Sequence, residues 1–74
     1  MRPDDVREYL KRQPFQPFRV HLSSGMFFDI RNPQMASVGR SALTLALGVE
    51  GDFQRFVVVA LVHIVWFEIL VPVL

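Results

Sequence analysis

Apolar residues in the first dozen positions fall at Val6, Tyr9 and Leu10, a spacing of i, i+3 and i+4 that draws one stripe along a helix. Pro3 suits a first helical position, where its missing N–H leaves nothing unpaired. Asp4 and Asp5 in the first turn and Lys11 and Arg12 in the last both complement the helix dipole. Pro14 disfavours the α conformation of the residue before it. A helix over residues 3–13 is predicted, too short to stand alone, so its stripe must dock on the rest of the chain.

From Phe15 onward the period changes to two, and residues 15–74 read as strands. Phe18, Val20 and Leu22 share one face, with Arg19, His21 and Ser23 opposite. Ser24-Gly25 marks a turn. Phe28 and Ile30 are the core positions of the second strand, with Asp29 and Arg31 on its other face and Phe27 pointing outward. A loop centred on Gly25 sets Leu22 opposite Phe28 and Val20 opposite Ile30, which brings His21 opposite Asp29 as a surface pair. Asn32-Pro33 is a bend, Met35 to Val38 resumes the strand, and Gly39-Arg40-Ser41 is a tight turn. Leu43, Leu45 and Leu47 then alternate with Ala42, Thr44 and Ala46, and Gly48 to Asp52 reads as a loop.

The chain closes on Phe56–Leu74, where sixteen of nineteen residues are apolar and only His63, Glu68 and Pro72 are not. The run is long enough to cross a bilayer. Against a span, Glu68 inside it costs about 2.5–3.5 kcal/mol near a helix centre, and nine of its residues are Val or Ile, which favour strands. As strands, the run divides at Leu61-Val62-His63 into Phe53–Ala60 and Ile64–Val71. Val65, Phe67, Ile69 and Val71 then form one face of the last strand, and Ile64, Trp66, Glu68 and Leu70 the other. Two apolar faces mark a strand covered on both sides. One fills a core, and the other needs a neighbouring subunit.

Composition strengthens that reading. Seventy-four residues make a single small domain, 1–74, with a thin core, and chains of this size lean on disulfides, metals or oligomerisation. There is no cysteine, and His21 and His63 have no metal-ligand spacing, so no metal or other cofactor is expected and oligomerisation is the stabiliser left. A net charge of +1 is not the excess of a dedicated nucleic-acid module. MRPDDVREYL has no apolar core of a secretory signal, and together with the missing cysteines it fits a cytoplasmic address. No Gly-x-Ser-x-Gly elbow or phosphate-binding glycine motif occurs, so an enzyme is not expected.

The order helix, hairpin, bent strand, hairpin and two strands joined by a short corner resembles the Sm-like fold, a small SH3-like barrel that forms rings. PFRVHLSSG looks like the first Sm strand and its glycine turn, and VALVHIVWFEI like the second Sm motif. The helix ending KRQPFQPF is similar in placement to the basic-ended helix of the bacterial RNA chaperone Hfq. His63 falls where that chaperone has the histidine of a lysine-histidine pair, although Val62 replaces the lysine and Asp29 stands near an expected glycine. Phe15-Gln16-Pro17-Phe18-Arg19, Gly25 and Asn32-Pro33-Gln34 also resemble a set of short bacterial proteins, common in planctomycetes, that have no assigned activity. In that set the bend carries a histidine where this chain has Asn32.

The expected architecture is therefore mainly β with one N-terminal helix, a small five-stranded SH3-like or Sm-like barrel in a homo-oligomeric ring. Its expected role is a non-enzymatic scaffold or interaction module. Val57, Val59, Ile64, Val65, Trp66, Phe67 and Ile69 are the candidate subunit interface. An Sm-like RNA-binding ring is the alternative, with Arg7, Lys11, Arg12, Arg19 and His63 as candidate RNA contacts. A membrane-anchored small protein is the second alternative. The bland reading of the basic helix end is that Glu8 pairs with Lys11 or Arg12 on a solvated face.

Overall fold

A computed structural model describes residues 1–73; Leu74, the end of the apolar tail, lies outside the described residues. Helix α1 spans Pro3–Leu10 and is followed by β1 (Phe18–Leu22), β2 (Phe27–Ile30), β3 (Ala36–Val38), β4 (Ala42–Glu50), β5 (Phe53–Ala60) and β6 (Ile64–Ile69). The chain is mainly β, with two sheets of three antiparallel strands, ordered β2-β1-β6 and β3-β4-β5. This differs from the expected single five-stranded barrel: the described strands form no closed sheet. The extra strand arises at the bend. A short 3-10 turn, Pro33–Met35, interrupts the second strand, and the Asn32 side chain accepts the Gln34 N–H at 2.9 Å to hold it. One half then pairs in each sheet.

The apolar run divides where its sequence breaks. A second 3-10 turn, Leu61–His63, joins β5 to β6, so the tail crosses from one sheet to the other and forms no helical span. No helix among the described residues is long and apolar enough to cross a membrane.

Both sheets share one core of Val6, Phe18, Val20, Ile30, Leu43, Leu45, Val59, Leu61 and Ile64. The stripe of α1 docks as its spacing requires, with Val6 buried and Tyr9 and Leu10 packed alongside. Tyr9 meets Phe18 at 5.6 Å and Phe67 edge-on at 5.0 Å, and Phe18 and Phe67 lie 5.0 Å apart. Such tilted pairs add about 0.5–1.5 kcal/mol each beyond their burial. The helix ends at Leu10, short of the expected residue 13, with Lys11 as its C-cap.

Three details of register depart from the alternation pattern. The β1–β2 hairpin pairs Phe18 with Ile30 and Val20 with Phe28, two residues away from a loop centred on Gly25. Ser23-Ser24-Gly25 forms a three-residue loop closed by Leu22 N–H to Met26 O at 2.9 Å, and its last position is left-handed (φ +92° at Gly25), which suits glycine. The core face is unchanged because the shift is even, but Asp29 now faces Arg19 and not His21. In β4, strand pairing continues through Gly48, Val49 and Glu50, where a loop was expected. Leu47 is the extra residue of a bulge, exposed and outside the leucine row, and Gly48 takes φ +110°.

The third departure is in β6. Leu22 pairs with Ile64 but His21 pairs with Trp66, so Val65 is an extra residue. Ile64 and Phe67 therefore both turn inward, while Val65 and Trp66 are exposed. The even alternation expected over Ile64–Val71 fails at this one residue, and pairing stops at Ile69.

Phe67→Lys is expected to abolish the cooperative folded state. A charge placed against the core costs several kcal/mol, against a total stability of roughly 4–11 kcal/mol for a chain this long. Trp66→Lys one residue earlier is expected to keep native circular dichroism and a cooperative thermal transition.

Candidate interaction face

The outer face of the β2-β1-β6 sheet carries two side-chain rows, each running across all three strands. Cα pairing places Asp29, Arg19 and Glu68 in one line and Phe27, His21 and Trp66 in the next. Both rows follow from alternation on β1, where Phe18 and Val20 face the core and leave Arg19 and His21 outside.

In the charged row Arg19 sits between two carboxylates. Its Nε donates to Asp29 Oδ1 at 2.6 Å and its Nη2 to Asp29 Oδ2 at 3.1 Å, a two-point geometry suited to a planar guanidinium. Glu68 Oε1 lies 4.0 Å away on the other side, and exposed Arg31 approaches Asp29 at 4.0 Å. The hydrogen bond from Arg19 holds the Asp29 carboxyl below its ordinary value, against the opposing effect of burial, with smaller help from the charges of Arg19, Arg31 and His21. The same pair raises Arg19, again chiefly through the hydrogen bond to Asp29 and against burial.

In the aromatic row His21 and Trp66 stack face to face, 3.7 Å apart with an interplanar angle of 1°. Phe27 lies 5.7 Å from His21 on the other side. The rows are cross-linked: His21 Nε2 donates to Glu68 Oε1 at 2.8 Å, and the Arg19 guanidinium lies 4.2 Å over the Phe27 ring. The result is a face whose charged groups are paired with one another and whose Phe27 and Trp66 rings remain half exposed.

The candidate RNA contacts do not gather into one patch. Arg7 bonds Asp4 and the Val38 carbonyl, each at 3.3 Å. Arg12 reaches Glu8 at 3.6 Å and lies 4.0 Å over the Tyr9 ring. Arg19 belongs to the charged row. Lys11 is exposed and has no ion-pair partner among the described residues. His63 sits on the corner between β5 and β6, with its carbonyl accepting the Ser23 N–H at 2.8 Å and its Nδ1 3.2 Å from Ser23 Oγ. No carboxylate bonds His63 among the described residues, so the Ser23–His63 contact lacks the third group of a triad. These two residues rim a cleft of about 420 Å³ lined by Leu22, Met26, Phe28, Val57 and Val59. Among the described residues no cluster of three His, Asp or Glu side chains is placed to hold a metal.

The candidate subunit contacts divide cleanly. Val59 and Ile64 are buried in the chain's own core, and Val57 and Phe67 pack against it. They leave little for a second copy to cover: Val57 and Val59 pair with Leu45 and Leu43 on the core side of β5, and the bulge at Val65 turns Ile64 and Phe67 inward together. Val65, Trp66 and Ile69 remain exposed, as the interface reading requires. Phe53, Phe56 and Val58 on β5 are equally exposed and were missed. For Phe56 and Val58 the signal was the unbroken apolar run Phe56–Ala60, which hides which side is covered.

Compared with family models, curated proteins and solved structures, the chain matches none.

Asp29→Asn tests the charged row. A carboxyl with a lowered folded-state value contributes stability that is present above its unfolded value, near pH 4, and is lost as pH falls through the lower folded value. Denaturant melts at several pH values should show the parent losing stability below about pH 4. The variant should start less stable at pH 7 and show a flatter decline over the same interval.

Proposed function

We propose that this chain is a non-enzymatic self-assembling module, its copies joined edge to edge through β5 of one and β6 of the next. Each sheet has two terminal strands, and they differ in kind. β2 and β3 have four and three residues, and α1 lies against β3. Such short or covered strands are poor templates for pairing. β5 and β6 are longer, with eight and six residues.

One observation carries the reading: of the thirteen large exposed apolar side chains among the described residues, six lie on these two free edges, against one on β2 and none on β3. Phe53 is 75% exposed, Val58 67%, Val65 59% and Trp66 50%. An exposed apolar edge strand is a template for pairing with another chain, and a fold that keeps one uncovered is suited to such pairing. Because the two edges are different surfaces, the contact is head to tail, and a rotation that closes gives a ring. The Sm-like small-barrel ring is the finer form of this reading, supported by the element order and by the two 3-10 corners that carry the chain between sheets.

RNA binding is the weaker reading. Arg7, Arg12 and Arg19 are already engaged within the chain, which leaves Lys11 as the cation of the expected patch without an ion-pair partner among the described residues. A basic annulus would then rest on one lysine per copy.

Size-exclusion chromatography with light scattering at micromolar concentration should give a mass of several subunits. Trp66→Lys should give a folded monomer at the same concentration. A folded, monodisperse monomer of the parent chain would overturn the proposal. Retention of RNA at low salt that disappears in Lys11→Ala, with unchanged mass, would favour the second reading.

A further inference from the structure

We infer that the outer face of the β2-β1-β6 sheet sets the register of the contact between copies, by continuing its two rows onto β5 of the neighbour. This rests on the edge-to-edge reading above and adds to it which residues meet. Each row ends at the free edge of β6, the aromatic row on Trp66 and the charged row on Glu68. His21 stacks on Trp66 from the β1 side, and no described strand lies on the other. Glu68 accepts from His21 through Oε1 and has Arg19 at 4.0 Å, both on the same side.

A strand that extends both rows must place an aromatic ring beside Trp66 and a hydrogen-bond donor beside Glu68, two positions apart on one face. β5 contains one such pair. Pairing with β4 puts Val57 and Val59 toward the core, so Gln54, Phe56, Val58 and Ala60 lie on the outer side. Only Gln54 and Phe56 there are a donor and an aromatic. Gln54 precedes Phe56 while Trp66 precedes Glu68, so matching ring to ring and amide to carboxylate requires an antiparallel approach. That register sets Phe56 opposite Trp66, Gln54 opposite Glu68 and Phe53 opposite Ile69. The last pair adds apolar against apolar on the other side. A slip by two places Phe56 against the carboxylate and loses both matches.

β5 and β6 of one chain lie in different sheets, separated by the Leu61–His63 corner, so the match is made between copies. Phe53, Gln54, Phe56, Trp66 and Ile69 are exposed in the isolated chain, where the Gln54 amide donates to the Gly48 carbonyl at 3.1 Å and must turn from it to reach Glu68 of the neighbour.

The chain has no cysteine, which makes paired cysteines a clean probe of register. The double variant F53C/I69C, oxidised in a glutathione buffer, should form an interchain disulfide ladder on a non-reducing gel. F53C/V71C, which reports the slipped register, should not. In sedimentation equilibrium, Gln54→Glu should weaken association about fivefold, because it opposes two carboxylates, while Gln54→Lys should not weaken it. Phe56→Ala should weaken it about tenfold. An assembly that cross-links through F53C/V71C, or that ignores Gln54→Glu, overturns the register and leaves edge-to-edge association standing. A parent chain that stays monomeric overturns both.

Discussion

One extra residue in β6 determines what this molecule presents to its surroundings. Val65 bulges between Ile64 and Trp66, and the strand changes face at that point. Ile64 and Phe67 can then both reach the core, which they would not do in an unbroken strand. Without the bulge, turning Ile64 inward would carry Trp66 inward and Phe67 outward. Tyr9 and Phe18 would lose the ring against which α1 docks, and Glu68 would turn to the core with Trp66. The helix seat and the outer rows therefore share a single cause.

The outer face is unusual in how fully its polar atoms are used. Arg19 and His21, neighbours on the outer side of β1, take partners from both flanking strands, so the guanidinium and imidazole hold β2, β1 and β6 together from outside while Phe18 and Val20 do so from inside. Individually such partly exposed pairs contribute little, about 0.2–1 kcal/mol. Their joint effect is geometric. Arg19, His21, Phe27 and Glu68 each touch two neighbours within the face, which leaves them little side-chain entropy to lose on binding, whereas Trp66 is stacked on one side and open on the other.

A thin core explains why exposed apolar edges are tolerated. Nine of the described residues are buried, and two three-stranded sheets offer few positions for more. In the assembly proposed above, association would cover the apolar surface that so small a chain without cysteine leaves exposed. The same surface explains why the basic helix end is a weak candidate for polyanion contact. Its arginines are folded onto Asp4, Glu8 and Tyr9, the local partners that helical spacing supplies.

Much of the local structure was legible in the residues themselves, because local rules govern it. The stripe of α1, the core faces of β1 and β2, the bend at Asn32-Pro33, and the division of the apolar tail at Leu61–His63 all follow from period, proline and β-branching. The outward position of Phe27 was legible too. What only the tertiary structure decided are the places where one residue is gained or shifted: the hairpin centred on Ser24, and the bulges at Leu47 and Val65. These turn on how strands pair across the sheet, and alternation within a single strand carries no record of its partner. His21 was therefore matched with Asp29, whereas it stacks on Trp66, a residue 45 positions later. Val59 and Ile64 read as interface in the sequence because an apolar residue looks the same whether its own chain or another covers it. Only the fold, by filling one side of β5 and β6, shows which side is left.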